Sequence, residues 1–253
     1  ENDKEEVVEE KPSSEEVKRQ ELTLENYYSQ ELGRKYMSSH NLMDFIEDKT
    51  IFWLKNQTDW LTRKESDSLI VGNLFHAFME SKVAFYNFLK ENTLNLVGKT
   101  EFKKLITKAK NVYGDDNGEE LSDDKIHEYA NVLFVEQVFE DGPQSVKILA
   151  KPDEVWQYII RKWEEREQLW TLPPNTAHEA VLTGNLFGVP FKARLDVLQY
   201  DPETKTALIY DYKTSGLKEK YQYGRYYNPE LEAMVGKNFI QQYNYDLQMW
   251  IYR

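Results

Sequence analysis

An α+β fold, with helices first and an antiparallel three-strand meander later, is what this sequence predicts. Residues 178–215 hold three runs rich in Val, Leu, Ile, Phe and Tyr, broken at Gly188-Val189-Pro190 and at Asp201-Pro202-Glu203-Thr204-Lys205. Alternating apolar runs between such turn residues are a strand signature. Upstream, Leu74, Phe75, Phe78, Met79, Val83 and Phe85 recur at helical spacing, and Trp156, Trp163 and Trp170 stand seven apart. A last helical pattern follows the meander. With 253 residues, 40% of them hydrophobic, the chain is long enough for one sizeable core.

Residues 1–26 carry ten acids against four bases, a local charge of −6 that is half of the formal −12. This opening is expected to be disordered or loosely helical, leaving 27–253 as a single domain. Composition turns aromatic from Leu24, with Tyr27, Tyr28 and Tyr36. Ser38 or Ser39 suits a helix N-cap, with Leu42, Phe45, Ile46 and Trp53 as the buried stripe and His40 exposed. The next helix, 68–90, starts near Gly72 and turns His76 inward; a lone histidine on such a face is most often a satisfied core or boundary residue. Residues 99–110 carry Lys99, Lys103, Lys104, Lys108 and Lys110 against Glu101. Their default role is a solvated helix face, and they are also the best basic patch in the chain.

Residues 114–118 form a loop whose acids lack the alternation and terminal glutamate of an EF-hand calcium site. Ser122-Asp123-Asp124 caps another helix, and Pro152 suits the first turn of the tryptophan segment, whose three indoles make one packing ridge. After the meander, 216–237 reads as an irregular excursion bearing Lys218, Lys220 and Arg225. The closing helix places Gln248 and Tyr252 four apart on one face. It stops in mid-pattern at Arg253, so the domain is expected to continue beyond it.

No apolar run approaches a membrane span, and the N-terminus has no signal-peptide core, so a soluble, cytoplasmic protein is expected. There are no cysteines, which excludes disulfides, zinc–thiolate sites and iron–sulfur clusters. Any metal must be held by oxygen or imidazole.

Within the meander, Asp196 closes Arg194-Leu195-Asp196 in the middle strand, and Asp211-Tyr212-Lys213 lies near the end of the third. Alternate residues of a strand share a face, so Asp211 points with Lys213, and Arg194 with Asp196. The 201–205 turn closes a hairpin whose paired residue numbers sum to about 406 or 407, bringing Asp196 beside Asp211 within a register step. Two carboxylates that close repel unless a cation or a proton lies between them. A divalent metal is the economical answer, and Mg2+ is usually held by one or two carboxylates plus waters and phosphate. Lys213, a movable point charge, suits orienting a water or stabilising charge on a phosphate oxygen. A D-x-K at a strand end is also common by chance, most instances being solvated strand ends.

Taken in order, Gly72-x-x-x-His76, Arg194-x-Asp196, Asp211-x-Lys213 and Gln248-x-x-x-Tyr252 resemble the phage and bacterial exonucleases of the PD-(D/E)xK superfamily. The likeness is strongest to the RecE-like and YqaJ-like branch, which includes lambda exonuclease. Tyr27-Tyr28 and Tyr36-Met37-Ser38-Ser39 resemble its N-terminal segment, and Gly188, Lys192, Arg194 and Asp196 resemble its strand pair. The likeness covers most of the chain from residue 27 onward. It implies a restriction-endonuclease-like fold, a mixed β-sheet core flanked by helices. It reverses the bland assignment of His76: His76, Asp196 and Asp211 become metal ligands, with the Tyr212 carbonyl a further one. Lys213 becomes the catalytic lysine, Gln248 and Tyr252 position substrate and lysine, and Glu179 is an accessory acid.

The resemblance implies an exonuclease dependent on Mg2+, or on Mn2+, acting from the ends of duplex DNA in phage-type recombination, in a bacterium or a phage-infected host. A single-strand annealing protein as partner and a homo-oligomeric ring also follow from it. Such a ring would gather basic residues in its channel and leave an acidic exterior. Candidate DNA contacts are Lys99, Lys103, Lys104, Lys108, Lys218, Lys220 and Arg225. The cluster-bearing branch of the family is excluded by the missing cysteines. The alternative is a nuclease-like fold retained as a DNA-binding or recombination-partner module without activity.

Overall fold

A computed structural model of the protein describes residues 22–29, 34–56, 58, 66–113, 115–116, 119–149, 152–214, 225–236, 240 and 244–252. Helices α1 (Ser39–Glu47), α2 (Lys49–Asn56), α3 (Asp67–Glu80), α4 (Lys82–Tyr113), α5 (Asp123–Asp141), α6 (Asp153–Lys162) and α7 (Arg166–Trp170) come first, interrupted by a two-residue ladder of β1 (Asp115–Asp116) and β2 (Glu119–Glu120). The meander β3 (Thr176–Leu186), β4 (Val189–Asp201) and β5 (Thr206–Tyr210) follows, then a small hairpin of β6 (Arg225–Asn228) and β7 (Ala233–Gly236), and α8 (Tyr245–Tyr252). The α+β class and the helices-then-sheet order agree with the sequence.

The core belongs to the helices. Leu74 and Phe78 of α3, Phe85, Leu89 and Leu96 of α4, Phe134, Val135 and Val138 of α5, and Trp156 and Ile159 of α6 are buried in one cluster. The seven-residue tryptophans form the expected packing ridge. Phe85 meets Trp156, Trp163 and Trp170 with ring centroids 6.3–6.5 Å apart. Two of the indoles also satisfy their N–H groups on backbone carbonyls, Trp156 on Pro143 at 3.1 Å and Trp170 on Phe78 at 2.7 Å, as buried indoles require.

In the sheet, β4 is central and antiparallel to both neighbours. Phe187 and Gly188, at φ 53° and 82°, make the β3–β4 turn, two left-handed residues as a tight hairpin needs. Val189 and Pro190, placed in that break by sequence, instead begin β4. The second hairpin pairs Val197 with Tyr210 and Asp201 with Thr206, the register expected from the turn. Its Asp201 side chain accepts from the Glu203 N–H at 2.9 Å and from the Thr204 hydroxyl at 2.6 Å, which closes the turn. Met37 adds a single isolated parallel bridge to Phe191, where β5 no longer flanks β4; the described strands themselves pair only antiparallel, not as the mixed sheet expected.

Several local expectations are corrected. Ser38 is indeed the cap of α1, accepting from the Asn41 N–H at 3.2 Å, but its apolar stripe is not buried: Ile46 and Trp53 are 65% and 55% exposed. Gly72 lies inside α3, whose cap is Ser66, and the stretch 68–90 is broken at Ser81. Within the expected loop at 114–118, Asp115 and Asp116 form β1, paired with β2 just after it, and the excursion at 216–237 contains the β6–β7 hairpin. Of the acidic opening, residues 1–21 lie outside the described residues; Leu22 is buried with Tyr27 against Val181. Among the described residues no helix is long and apolar enough to cross a membrane.

Candidate active site

Strand β4 delivers Lys192, Arg194 and Asp196 at alternate positions, hence on one face. Asp196 is 7% exposed and Lys192 5%. Past the last ladder pair, Val197 with Tyr210, the next residues in register are Asp196 and Asp211. Asp211, Tyr212 and Lys213 lie just beyond β5 in irregular backbone, and the Tyr212 N–H donates to Asp196 Oδ2. Helix α3 supplies His76, whose Nδ1 stands 3.5 Å from Asp196 Oδ1 and whose Nε2 stands 3.1 Å from the Tyr212 carbonyl. Phe75 docks the helix there, meeting Tyr158 and Tyr212 edge-on at 5.4 and 5.8 Å. Gly72, one turn earlier, faces Thr214: a Cβ on it would lie 3.5 Å from the threonine hydroxyl, so the glycine eases this approach without being indispensable to it.

Glu179 comes from β3. Its neighbours His178 and Ala180 pair with Val197 and Leu195, but the ladder is interrupted at Glu179 itself, which has φ 51°. A left-handed residue that is not glycine is strained, and such strain concentrates at functional sites. The kink brings its carboxylate to Arg194, with Nε 2.9 Å from Oε2. Ligating atoms of His76, Glu179 and Asp196 all lie within 4.8 Å of one another. Glu179, assigned only an accessory role by the resemblance, is thus inside the acid–imidazole cluster found among the described residues.

Asp211 stands beside this cluster with both oxygens engaged: Oδ2 is 2.6 Å from Lys213 Nζ, and Oδ1 accepts from Gln248 Nε2 at 3.3 Å. Gln248 also reaches the Tyr252 hydroxyl at 2.6 Å. Tyr252 in turn bonds to the Ser39 side chain, tying α8 to the first turn of α1. Of the adjacent serines noted in the sequence, Ser38 caps the helix and Ser39 serves the site, a division that the pattern did not reveal.

Electrostatics at this centre favour a bound cation. Burial pushes the Asp196 carboxyl above its ordinary range, with Asp211 adding to the rise, while His76 and the Tyr212 N–H oppose it. Glu179 is pushed up to about 7, first by burial, against Arg194 and with help from Asp196 and Glu80. Its Oε2 is buried and, despite the close guanidinium, has no aligned hydrogen bond. Two crowded carboxylates, one with an unsatisfied oxygen, beside an imidazole make a donor set that fits a hard divalent ion.

The centre opens into a cavity of about 520 Å³, reached also by Tyr27, Tyr28, Arg34, Ser38 and Lys55. Its wall is cationic as well as acidic. Lys192 lies 4.3 Å from the Tyr27 ring and donates to that residue's carbonyl, and Arg194 sits 5.1 Å from the ring of Tyr28. Four of the expected basic contacts fall elsewhere. Lys99, Lys103, Lys104 and Lys108 are exposed on the second half of α4, and none lines the cavity. Lys218 and Lys220 lie outside the described residues, and Arg225 opens β6.

A family model described as a PDDEXK-like domain of unknown function (DUF3799) matches residues 38–253. The chain belongs to that family. No curated protein matches the chain. Among solved structures, this PDDEXK-like protein is similar to the crystal structure of a candidate exonuclease from Eubacterium rectale, at 17% identity and a TM-score of 0.42. The match covers 92% of this chain and 66% of that one, so the chain spans slightly less than two thirds of that protein's length.

Proposed function

We propose that the protein is a nuclease dependent on a divalent metal, Mg2+ or Mn2+, that hydrolyses phosphodiester bonds from the ends of duplex DNA. The observation that carries this reading is the convergence of His76, Glu179 and Asp196 on one point, with the Asp211–Lys213 pair alongside and with His76, Asp196, Asp211 and Lys213 all facing one open cavity. His76, Glu179 and Asp196 would hold the metal, with Asp211 and the Tyr212 carbonyl adjoining. The chemistry that a divalent ion would supply there is a water nucleophilic near neutral pH and an offset to charge on the scissile phosphate.

The remaining work falls to the chain itself. Lys213, held by Asp211, places a positive charge where negative charge grows on the phosphate. Gln248 and Tyr252 fix Asp211 from the other side. Lys192 and Arg194 put positive charge along the wall, which a polyanion needs on a protein of net charge −12. A role in phage-type recombination, an annealing-protein partner, a ring assembly and a cytoplasmic setting are supported by the resemblance of the motif series alone.

The test is nucleotide release from linear duplex DNA with and without Mg2+ or Mn2+. Release should require the metal, and Lys213→Ala should slow it roughly 100- to 1000-fold while DNA affinity falls much less. Metal should raise the melting temperature of the wild type by mass action, and Asp196→Asn should remove that rise. DNA binding without release in the wild type would point to the inactive module instead. Equal metal responses in wild type and Asp196→Asn would refute the metal centre.

A further inference from the structure

Tyr28 stands at the cavity with 71% of its surface exposed, although its neighbour Tyr27 is buried. The ring is nonetheless held. Tyr27 meets it edge-on, with centroids 5.0 Å apart and planes at 81°, and the Arg194 guanidinium lies 5.1 Å from its centroid. Arg194 also contacts Glu179 of the acid–imidazole cluster at 2.9 Å. A steadied aromatic ring is therefore presented to solvent and linked to the centre through the Arg194 guanidinium. Single exposed rings are common on protein surfaces; this one differs in being held by two partners at the mouth of the cavity.

We infer that Tyr28 is a stacking platform for the base of the nucleotide whose phosphate lies at the His76–Glu179–Asp196 centre. The inference rests on the nuclease reading and names the part of the substrate that the cavity grips besides its phosphate. Stacking suits an enzyme that meets every sequence, because every base has a π face. Arg194 adds a cation beside the same ring, which strengthens a mixed aromatic and cationic stack. The space agrees: about 520 Å³ is the size of a pocket for one small molecule. The base on Tyr28 is thus an unpaired one at a strand end.

The experiment compares wild type, Tyr28→Ala, Tyr28→Leu and Tyr28→Phe on linear duplex DNA whose terminal nucleotide carries 2-aminopurine or is abasic. Binding is read with Ca2+ in place of Mg2+, and release with Mg2+. For base-bearing ends, Tyr28→Ala and Tyr28→Leu should each lose roughly five- to hundredfold in affinity and lose the quenching of 2-aminopurine. Tyr28→Phe should keep both. For abasic ends, all four proteins should bind alike. The leucine variant keeps apolar bulk, so a loss shared by it and alanine reports the π face rather than packing. Equal losses on base-bearing and abasic ends, or no loss on either, would overturn the platform and leave the nuclease reading standing. A wild type that neither binds nor cleaves any of these DNAs would overturn both.

Discussion

Lys192 is a charge the fold would be expected to avoid. It is 5% exposed, and burial pulls its pKa below the ordinary 10.5. The Tyr27 carbonyl and ring partly compensate, and its place on the cavity wall supplies a reason to keep it. Its pH signature follows from the sign of the shift. In the window between the lowered pKa and 10.5, the unfolded chain holds a proton that the folded protein has released, so stability rises with pH there. Lys192→Met lacks that proton. The substituted protein should melt higher than wild type near neutral pH, and its advantage should shrink as pH climbs toward 10.5. It should also bind DNA more weakly. Thermal unfolding of both proteins across that range checks the first claim, and a gap that stays constant with pH would show that Lys192 pays no burial cost.

Helix α4 shows how one residue sets the path of an element. Its run from Lys82 to Tyr113 is interrupted at Gly98, with φ 77° and ψ 169°, a backbone region essentially restricted to glycine. Before the break, Phe85, Leu89 and Leu96 enter the core; after it come the exposed lysines. The Leu149 N–H donates to the Leu96 carbonyl at 2.8 Å, satisfying a group near the break. A Cβ at position 98 would stand 3.0 Å from Leu149 Cδ2, so strain and crowding act together. Gly98→Ala should cost about 1–3 kcal/mol, measurable as a lower urea midpoint at unchanged slope. An unaltered midpoint would mean that the helix simply straightens.

For the molecule as a whole, the proposed function asks how an acidic protein would hold a polyanion. The helical half exposes Lys99, Lys103, Lys104 and Lys108 outside the cavity, with Lys104 partly neutralised by Glu101 at 2.8 Å. We propose this face as a path for DNA flanking the cleaved end. Replacing Lys103, Lys104 and Lys108 together by Glu should weaken binding to any sequence and flatten its salt dependence by about one log unit per lost contact. Release at saturating DNA should persist, since none of the three reaches the centre. A salt slope identical to wild type would remove this face from the DNA path.

Much of the fold was legible because its causes are local. Turn residues and period-two alternation set the meander, and the Asp201–Lys205 turn alone fixed the register that sets Asp196 beside Asp211. The seven-residue tryptophans likewise announced a single packing ridge. Lys213 next to Asp211 could be read from spacing, because both sit on one short piece of backbone. The exposed stripe of α1 and α2 could not, since burial depends on what lies opposite. Nor could the acid–imidazole cluster be read from spacing. Glu179 enters it through a left-handed kink that no propensity signals, and His76 enters it because Phe75 seats α3 against Tyr158 and Tyr212. Periodicity says which side of an element is apolar; only packing between elements decides which polar atoms from different elements come within a few ångströms of one another.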